Sequence, residues 1–471
     1  MRLVSATIGL TSILLATACW GDSLADIYEL ALQNDPQLRA ARAAYLAGSE
    51  SKNISRAGLL PQISAVGEYS ETELDGSSTT VLSGGPGGTF GRDGDTDIDS
   101  HGYTISLTQP LFDLPAWFTF QRGKELSYQA KLQFSADQQS LILRSADTYF
   151  DVLRARENLE TALAEEKALK RQLEQTRERF EVGLLPITDV HEAQAAFDST
   201  TVRTLEISGA LDIAFERLTV LTGQTHDQLS GLMPDFPVVK PEPLDREAWV
   251  QFSLRNNFSL QIAKHEQDAA DNNAQSKKYE HMPTVTGALS YRDENSDTDF
   301  NGRDLSDGKF FSSPSEIDRD GHTVSIQLNV PIFTGGLVSA ERRQAYQQFI
   351  QAEEKHIGTE RETVKNARSL HLLVLTNTAR VKARNQAVIS AESALEATQA
   401  GYEAGTRNIV DVLVVQRNLY QARGDYANSR YDYIASLLRL KEVAGQLNPE
   451  DIYQLNAWLD PQLSVLKAAV R

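Results

Sequence analysis

The sequence predicts a mainly α-helical protein with a β-barrel portion, built from a duplicated unit of long helical hairpins plus two strands. Three observations predict this fold class. The chain repeats itself at a constant spacing, it contains four stretches in which apolar and polar residues alternate, and its helical stretches are too long to be buried within one chain. Because an internal repeat constrains the whole architecture, it outweighs any local pattern.

The repeat is clearest at two short turns that interrupt helical sequence. Both turns contain an aromatic residue, a glycine and an aspartate at one spacing of 222 residues, from 180 to 402, from 183 to 405 and from 189 to 411. Asn34 and Asn256 have the same spacing, so the duplication extends well beyond the turns. Each copy is predicted to contain two short helices, a strand, a polar loop, a second strand, a very long helix, a glycine turn and a long return helix.

The duplication also sets the predicted boundaries. We expect a signal peptide over 1–21, a first repeat over 22–222, a proline-rich linker over 223–245, a second repeat over 246–446 and a C-terminal segment over 447–471 that packs on the helices. Strands are predicted at about 62–70, 102–110, 284–292 and 322–331, and long helices at about 113–181, 187–221, 336–403 and 409–444.

The beginning of the chain has the pattern of an export signal. Arg2 precedes the apolar core 8–15, and small residues follow it. Cleavage after Ala18 and cleavage after Gly21 both fit. Cys19, the single cysteine, follows a poor lipoprotein box, and its lipidation remains an open alternative. An exported protein without disulfides must be stabilised by packing and assembly.

Composition excludes two classes of protein. The net charge of −18 argues against a nucleic-acid partner, which would require a basic face. The mean hydropathy of −0.36, without an interior apolar run near 18 residues, argues against a helical membrane protein.

Each predicted strand has one apolar face and one face of small polar residues. This alternation is typical of transmembrane β-barrel strands, and a half-buried sheet in a soluble sandwich is the alternative. The export signal favours the barrel, and so do aromatic residues at the strand ends, namely Tyr69, Phe112, Tyr291 and Phe333. Four strands cannot close a membrane barrel, so at least two copies must assemble, which leaves eight, twelve or sixteen strands open.

The segments within the strand pairs, 71–100 and 292–321, are rich in glycine, serine and aspartate. We expect them to be solvated, outward-facing loops. The glycine run 84–88 suggests a phosphate-binding loop, but no helix follows it and the neighbouring aspartates would repel phosphate.

The long helical stretches carry a coiled-coil seam. In the second copy, apolar residues recur every seven positions at Val374, Val381, Val388, Leu395 and Tyr402. At 1.5 Å per residue such a helix is about 100 Å long, so it must pack on neighbouring helices. Each copy therefore forms an antiparallel helical hairpin.

Nothing in the sequence indicates catalysis. The eight histidines show no metal-ligand spacing, and there is one cysteine and no nucleophile elbow. We therefore predict no enzymatic activity, no catalytic residue, no cofactor and no metal site.

The two glycine turns are the most informative places in the chain. Gly183 and Gly405 stand where a helix must reverse, which requires positive φ. Asp189 and Asp411 fall in the first turn of each return helix. A local interpretation is that Asn408 caps its helix and Asp411 complements the helix dipole. A functional interpretation is that symmetry assembles these acids into a ring that selects cations. Both can hold for one carboxylate.

Several motifs resemble the TolC family of outer-membrane efflux proteins along nearly the whole mature chain. The family comprises channel-tunnels of Gram-negative efflux pumps and type I secretion systems. The motifs are QPLFD (109–113), DQQSLIL (137–143), RQL (171–173), RFEVGL (179–184), ITDV (187–190), PIFTGG (331–336), and AGY (400–402) through GTR (405–407) to IVDVL (409–413).

The resemblance implies a homotrimer with a twelve-stranded transmembrane β-barrel in outer-membrane lipid, continuous with a periplasmic α-helical barrel. Its closed periplasmic end would open when a periplasmic adaptor and an inner-membrane efflux pump or secretion ATPase engage it. The resemblance assigns the gate to Gln172, Thr188, Asp189, Tyr402 and Arg407. It assigns the constriction acid to Asp411. It assigns the adaptor-docking tips to Gly183, Leu184, Gly405 and Thr406.

One position departs from the family pattern. A second acid is expected three residues after Asp411, and Val414 stands there. The strength of the cation filter is therefore in question. The alternative function is a soluble periplasmic coiled-coil adaptor or structural protein. Efflux and dedicated protein secretion are not separated by the sequence.

Overall fold

The computed structural model describes residues 21–81, 89–304 and 308–467. The predicted signal peptide up to residue 20, with Cys19, and the glycine run 84–88 lie outside these ranges. The described residues form helices and strands in this order: α1 Leu24–Asn34, α2 Pro36–Ser49, α3 Ser51–Ala57, β1 Gln62–Val81, β2 Thr89–Phe112, α4 Leu114–Glu181, α5 Ile187–Thr222, β3 Gln228–Leu232, α6 Arg246–Asn256, α7 Phe258–Tyr279, β4 Thr284–Asp304, β5 Phe310–Asn329, α8 Leu337–Glu403, α9 Ile409–Val443, α10 Pro449–Asn456 and β6 Leu459–Leu466. The predicted fold class, mainly α-helical with a β portion, is confirmed.

The chain divides into two compact units. The helical unit contains the described residues up to Tyr45, then Leu132–Ile262, and the chain from Ile357 onward. The sheet unit contains Leu46–Lys131 and Ala263–His356. No helix in the described part of the chain is both long and apolar enough to cross a membrane.

The sheet unit carries a four-stranded antiparallel sheet in the order β1-β2-β4-β5. Its register places the predicted apolar residues side by side, as in the row Ile63–Leu107–Leu289–Val324. The adjacent row, on the opposite face, is Ser64–Ser106–Ser290–Thr323. There the Ser64 and Ser106 hydroxyls are 2.8 Å apart. One face of the sheet is thus apolar and the other small and polar, as the alternation predicts.

The predicted loops within the strand pairs are wrong. β1 pairs with β2 without interruption from Gln62 opposite Thr108 to Val81 opposite Thr89, and β4 and β5 extend in the same way. An antiparallel ladder satisfies its backbone groups whatever the polarity of its side chains. The high glycine, serine and aspartate content of these segments therefore indicates that they are exposed to solvent. It does not indicate that they form loops.

The helical unit contains part of the predicted seam of α8, in which Val388 and Leu395 are only partly buried, and buried apolar residues recur along α4 as well. In α4 the side chains of Val152, Leu159 and Leu173 are buried, and in α8 so are those of Val374 and Val381. These two helices contain 68 and 67 residues, and at 1.5 Å per residue each is about 100 Å long. The predicted helix boundaries agree with the observed ones within two residues.

The linker over 223–245 is not simply an extended connector. It contains β3, which pairs with β6 near the C-terminus, Gln228 lying opposite Leu466. Trp458, just before β6, packs edge-on against Phe236, with ring centroids 6.0 Å apart. The two paired strands are more than 220 residues apart in the sequence. The sequence of the five-residue strand β3 therefore did not indicate its partner.

Candidate functional site

The two glycine turns have the same backbone geometry. Gly183 has φ +78° and Gly405 has φ +73°, and a Cβ atom built at either position meets nothing within 4 Å. The positive φ predicted for both glycines is therefore confirmed. Glycine is required by backbone conformation here and not by crowding.

The start of α9 follows the local interpretation. The Asn408 side chain accepts a hydrogen bond of 2.8 Å from the Asp411 backbone N–H, which caps the helix. The Asp411 carboxylate lies 3.7 Å from the guanidinium of Arg407, one helical turn away, and both side chains are partly exposed. Asp411 thus adds its charge to the helix N-terminus while keeping access to solvent.

Tyr402 lies in the last turn of α8, beside the second glycine turn. Its side chain is 9% exposed and packs with Ile409 and Val412. Leu185, from the turn of the first hairpin, packs against the same cluster, so the two turns contact each other. The Arg179 guanidinium lies 5.3 Å from the centroid of the Tyr402 ring, a cation–π distance.

The Tyr402 hydroxyl is buried, and no residue in the described part of the chain accepts or donates a hydrogen bond to it. Leaving such a group unpaired costs about 1–3 kcal/mol. The Tyr402 hydroxyl is therefore an unfavourable group at the contact between the two hairpins, and native proteins keep few such groups.

The five predicted gate residues do not form one network within this chain. Thr188 donates a hydrogen bond of 3.3 Å to its neighbour Asp189, and Gln172 is buried in α4. Arg407 pairs instead with Asp411. Within the described ranges, no hydrogen bond or ion pair joins the first-hairpin members to Tyr402 or Arg407.

A groove of about 390 Å³ lies between α4, α5 and α9, and Val414 lines it. Glu165 also lines this groove and is 3% exposed. Burial raises the pKa of Glu165 above its ordinary value, while Arg203, 3.2 Å away on α5, opposes the shift. The sequence did not single out Glu165, Arg203 or Leu185, because each has its contacts with residues on another helix.

In the described residues, a four-stranded antiparallel sheet is joined in sequence to two long helical hairpins, the combination that the sequence predicts for a channel subunit. Residues 27–224 and 249–446 both match the sequence profile of the family described as Outer membrane efflux protein. The chain therefore belongs to this family, which places it in the outer membrane of a Gram-negative bacterium and among transport proteins.

Three comparisons illustrate the relationship. The chain is 36% identical over 460 residues to the outer membrane protein TolC of Vibrio cholerae, covering 97% of each chain. It is 29% identical to the proteases secretion protein PrtF of Dickeya chrysanthemi, covering 95% of this chain and 93% of the relative. The CmeC outer membrane channel of Campylobacter jejuni has the same fold, with a TM-score of 0.70 at 15% identity and 98% of each chain covered.

Proposed function

We propose that three copies of this chain form a gated exit duct across the outer membrane, used for drug efflux, type I protein secretion or both. The observation that carries the proposal is the open sheet. Among the described residues, the outer edges of β1 and β5 pair with no further strand. Unpaired backbone groups cannot face lipid, so these edges must pair with other copies.

The topology suits such pairing. Neighbouring strands within the sheet are all antiparallel. Because each copy contributes an even number of strands, β5 of one copy and β1 of the next also run antiparallel. On β5 the apolar side chains of Val324, Ile326 and Leu328 are 64–74% exposed, which suits a surface that contacts lipid. Three copies and twelve strands are what the resemblance to the TolC family implies.

The outer face of α5 gives independent support for assembly. Val202, Leu205, Ile213 and Val220 are 57–75% exposed along this helix. Their spacing keeps them near one side of the helix, which a neighbouring copy would cover. A soluble coiled-coil adaptor is not favoured, because it would need neither this sheet nor its apolar face.

The closed state is proposed to depend on the turns. Gln172, Thr188, Asp189, Tyr402 and Arg407 would join into one hydrogen-bonded network when the hairpins of the three copies converge. The Tyr402 hydroxyl is buried and unpaired within one chain, so it would join this network only when the two hairpins shift and uncover it. Threefold symmetry would bring three copies of Asp411 together at the constriction.

The tips of the turns are proposed to dock the periplasmic adaptor of an efflux pump or a secretion ATPase. Gly183, Leu184, Gly405 and Thr406 form these tips, and Leu184 is 72% exposed.

A photo-crosslinking residue at Leu184 should capture an adaptor in intact cell envelopes. The same probe at Val220, which is as exposed but lies at the far end of α5, should capture a second copy of this chain. Capture of a second copy at both positions would contradict adaptor docking.

Gly405→Trp should abolish efflux in cells while the purified protein still conducts in lipid bilayers. The indole would strain a backbone held at positive φ and keep the adaptor at a distance. Gly405→Asn is the matched control, because asparagine tolerates positive φ and remains small. Efflux at the wild-type level with Gly405→Trp, at equal expression, would remove this tip from the docking surface.

A further inference from the structure

Glu125, His265 and Asp268 converge in the sheet unit. His265 and Asp268 lie one turn apart on α7, and Glu125 comes from α4. The ligand atoms that these three residues can offer all lie within 4.8 Å of one another. His265 Nδ1 and Glu125 Oε2 are 2.7 Å apart. All three side chains are partly buried.

We propose that these three side chains bind a divalent transition-metal ion, represented by Zn²⁺. Zn²⁺ binds imidazole nitrogen and carboxylate oxygen at about 2.0–2.2 Å, so two ligands at the tetrahedral angle are about 3.4 Å apart. The ion would replace the 2.7 Å hydrogen bond between His265 Nδ1 and Glu125 Oε2 and widen the separation of these two atoms by about 0.7 Å. One protein imidazole, two carboxylates and a water complete a tetrahedral set.

The surroundings of the three residues suit an ion. The ring of Tyr128, one helical turn after Glu125, packs near the imidazole of His265, with ring centroids 5.7 Å apart. Lys264 donates a 2.9 Å hydrogen bond to Asp268, but its side chain is half exposed and can move into solvent. A bound cation would take over the neutralisation of both carboxylates and would hold α7 against α4.

The ligand types also predict selectivity. Imidazole suits Zn²⁺ and similar first-row ions, whereas Mg²⁺ and Ca²⁺ prefer all-oxygen sites with more ligands. Zn²⁺ should raise the midpoint of thermal unfolding of the assembled protein, and Ca²⁺ at the same concentration should not.

The test is calorimetric titration of Zn²⁺ into the purified, chelator-stripped full-length assembly. We expect one ion per chain, with affinity at least about tenfold weaker in Glu125→Gln and in His265→Gln, because changes to outer-shell groups alone cost about 10–100-fold. Glu266→Gln is the matched control on the same helix, since Glu266 pairs with Lys355 at 2.8 Å outside the cluster. It should bind Zn²⁺ as the wild type does.

Two results would overturn the site. One is the absence of Zn²⁺ binding to the wild type, and the other is equal binding by the wild type, Glu125→Gln and His265→Gln. If a variant does not assemble, Asp268→Asn removes the third ligand and gives the same readout. The experiment measures binding on the isolated protein, so its outcome does not depend on the proposed transport function.

Discussion

The double variant Tyr402→Phe and Arg407→Ser is expected to raise the single-channel conductance in planar bilayers without dissociating the assembly. In the proposed closed state these two side chains hold the hairpins together at the turns. Each hydrogen bond they make there contributes about 1 kcal/mol, and a change of 1.4 kcal/mol is a factor of ten in an equilibrium. Because the double variant removes two such bonds from each of three copies, the ratio of open to closed states should rise by about tenfold or more.

The matched control is a different tyrosine–arginine pair, which lies on α9. Arg423 lies 5.7 Å from the ring of Tyr420 and pairs with Glu392 at 2.8 Å, well away from the turns. Tyr420→Phe with Arg423→Ser should leave the conductance unchanged. Equal conductance of the wild type and the Tyr402 and Arg407 double variant would show that these residues do not hold the gate.

Asp411→Ala is expected to abolish cation selectivity and block by trivalent cations from the periplasmic side. Three copies of Asp411 would supply the carboxylates of the constriction. In each chain the guanidinium of Arg407 lies 3.7 Å from the Asp411 carboxylate. Val414 takes the place of a second acid one turn further along the helix. The wild-type protein should therefore be cation-selective but only weakly blocked.

Val414→Asp should tighten the block by an order of magnitude or more. Val414 is partly exposed on the same side of α9 as Asp411, so an acid there would add a second ring. Two unit charges about 6 Å apart interact by roughly 3 kcal/mol at an effective dielectric constant near 20. A trivalent ion between two rings thus gains several favourable interactions that a single ring cannot provide.

Bilayer conductance measured against blocker concentration compares these proteins directly. Glu403→Ala, which removes an exposed acid at the end of α8, is the control and should retain selectivity. If Asp411→Ala retained both selectivity and block, Asp411 would act only in stabilising the start of α9.

Much of the fold was predictable because it repeats. The spacing from Gly183 to Gly405 identified the duplication, and the positive φ of both glycines follows from the need to reverse a helix. The alternation in 62–70 predicted which residues share a face, and the observed register confirms it. These features depend on local periodicity, which one sequence contains.

What the sequence could not predict depends on partners that are distant along the chain. Nothing in Gln228–Leu232 indicates that its partner is Leu459–Leu466. Glu125 and His265 are 140 positions apart, so no spacing motif could join them. The ends of the strands were misplaced because a polar strand and a polar loop have the same composition. The pairing of Arg407 with Asp411 also required the three-dimensional structure, since the resemblance assigned these two residues to different roles.

The native mass of the protein extracted from the outer membrane tests the central claim most directly. In the described residues, the open edges of β1 and β5 and the exposed face of α5 favour assembly of several copies, and the proposed duct requires three. We expect a single species containing three chains in the outer-membrane fraction. A stable soluble monomer would contradict the account, because its sheet edges would then need no partner. A dimer with eight strands would contradict the threefold gate.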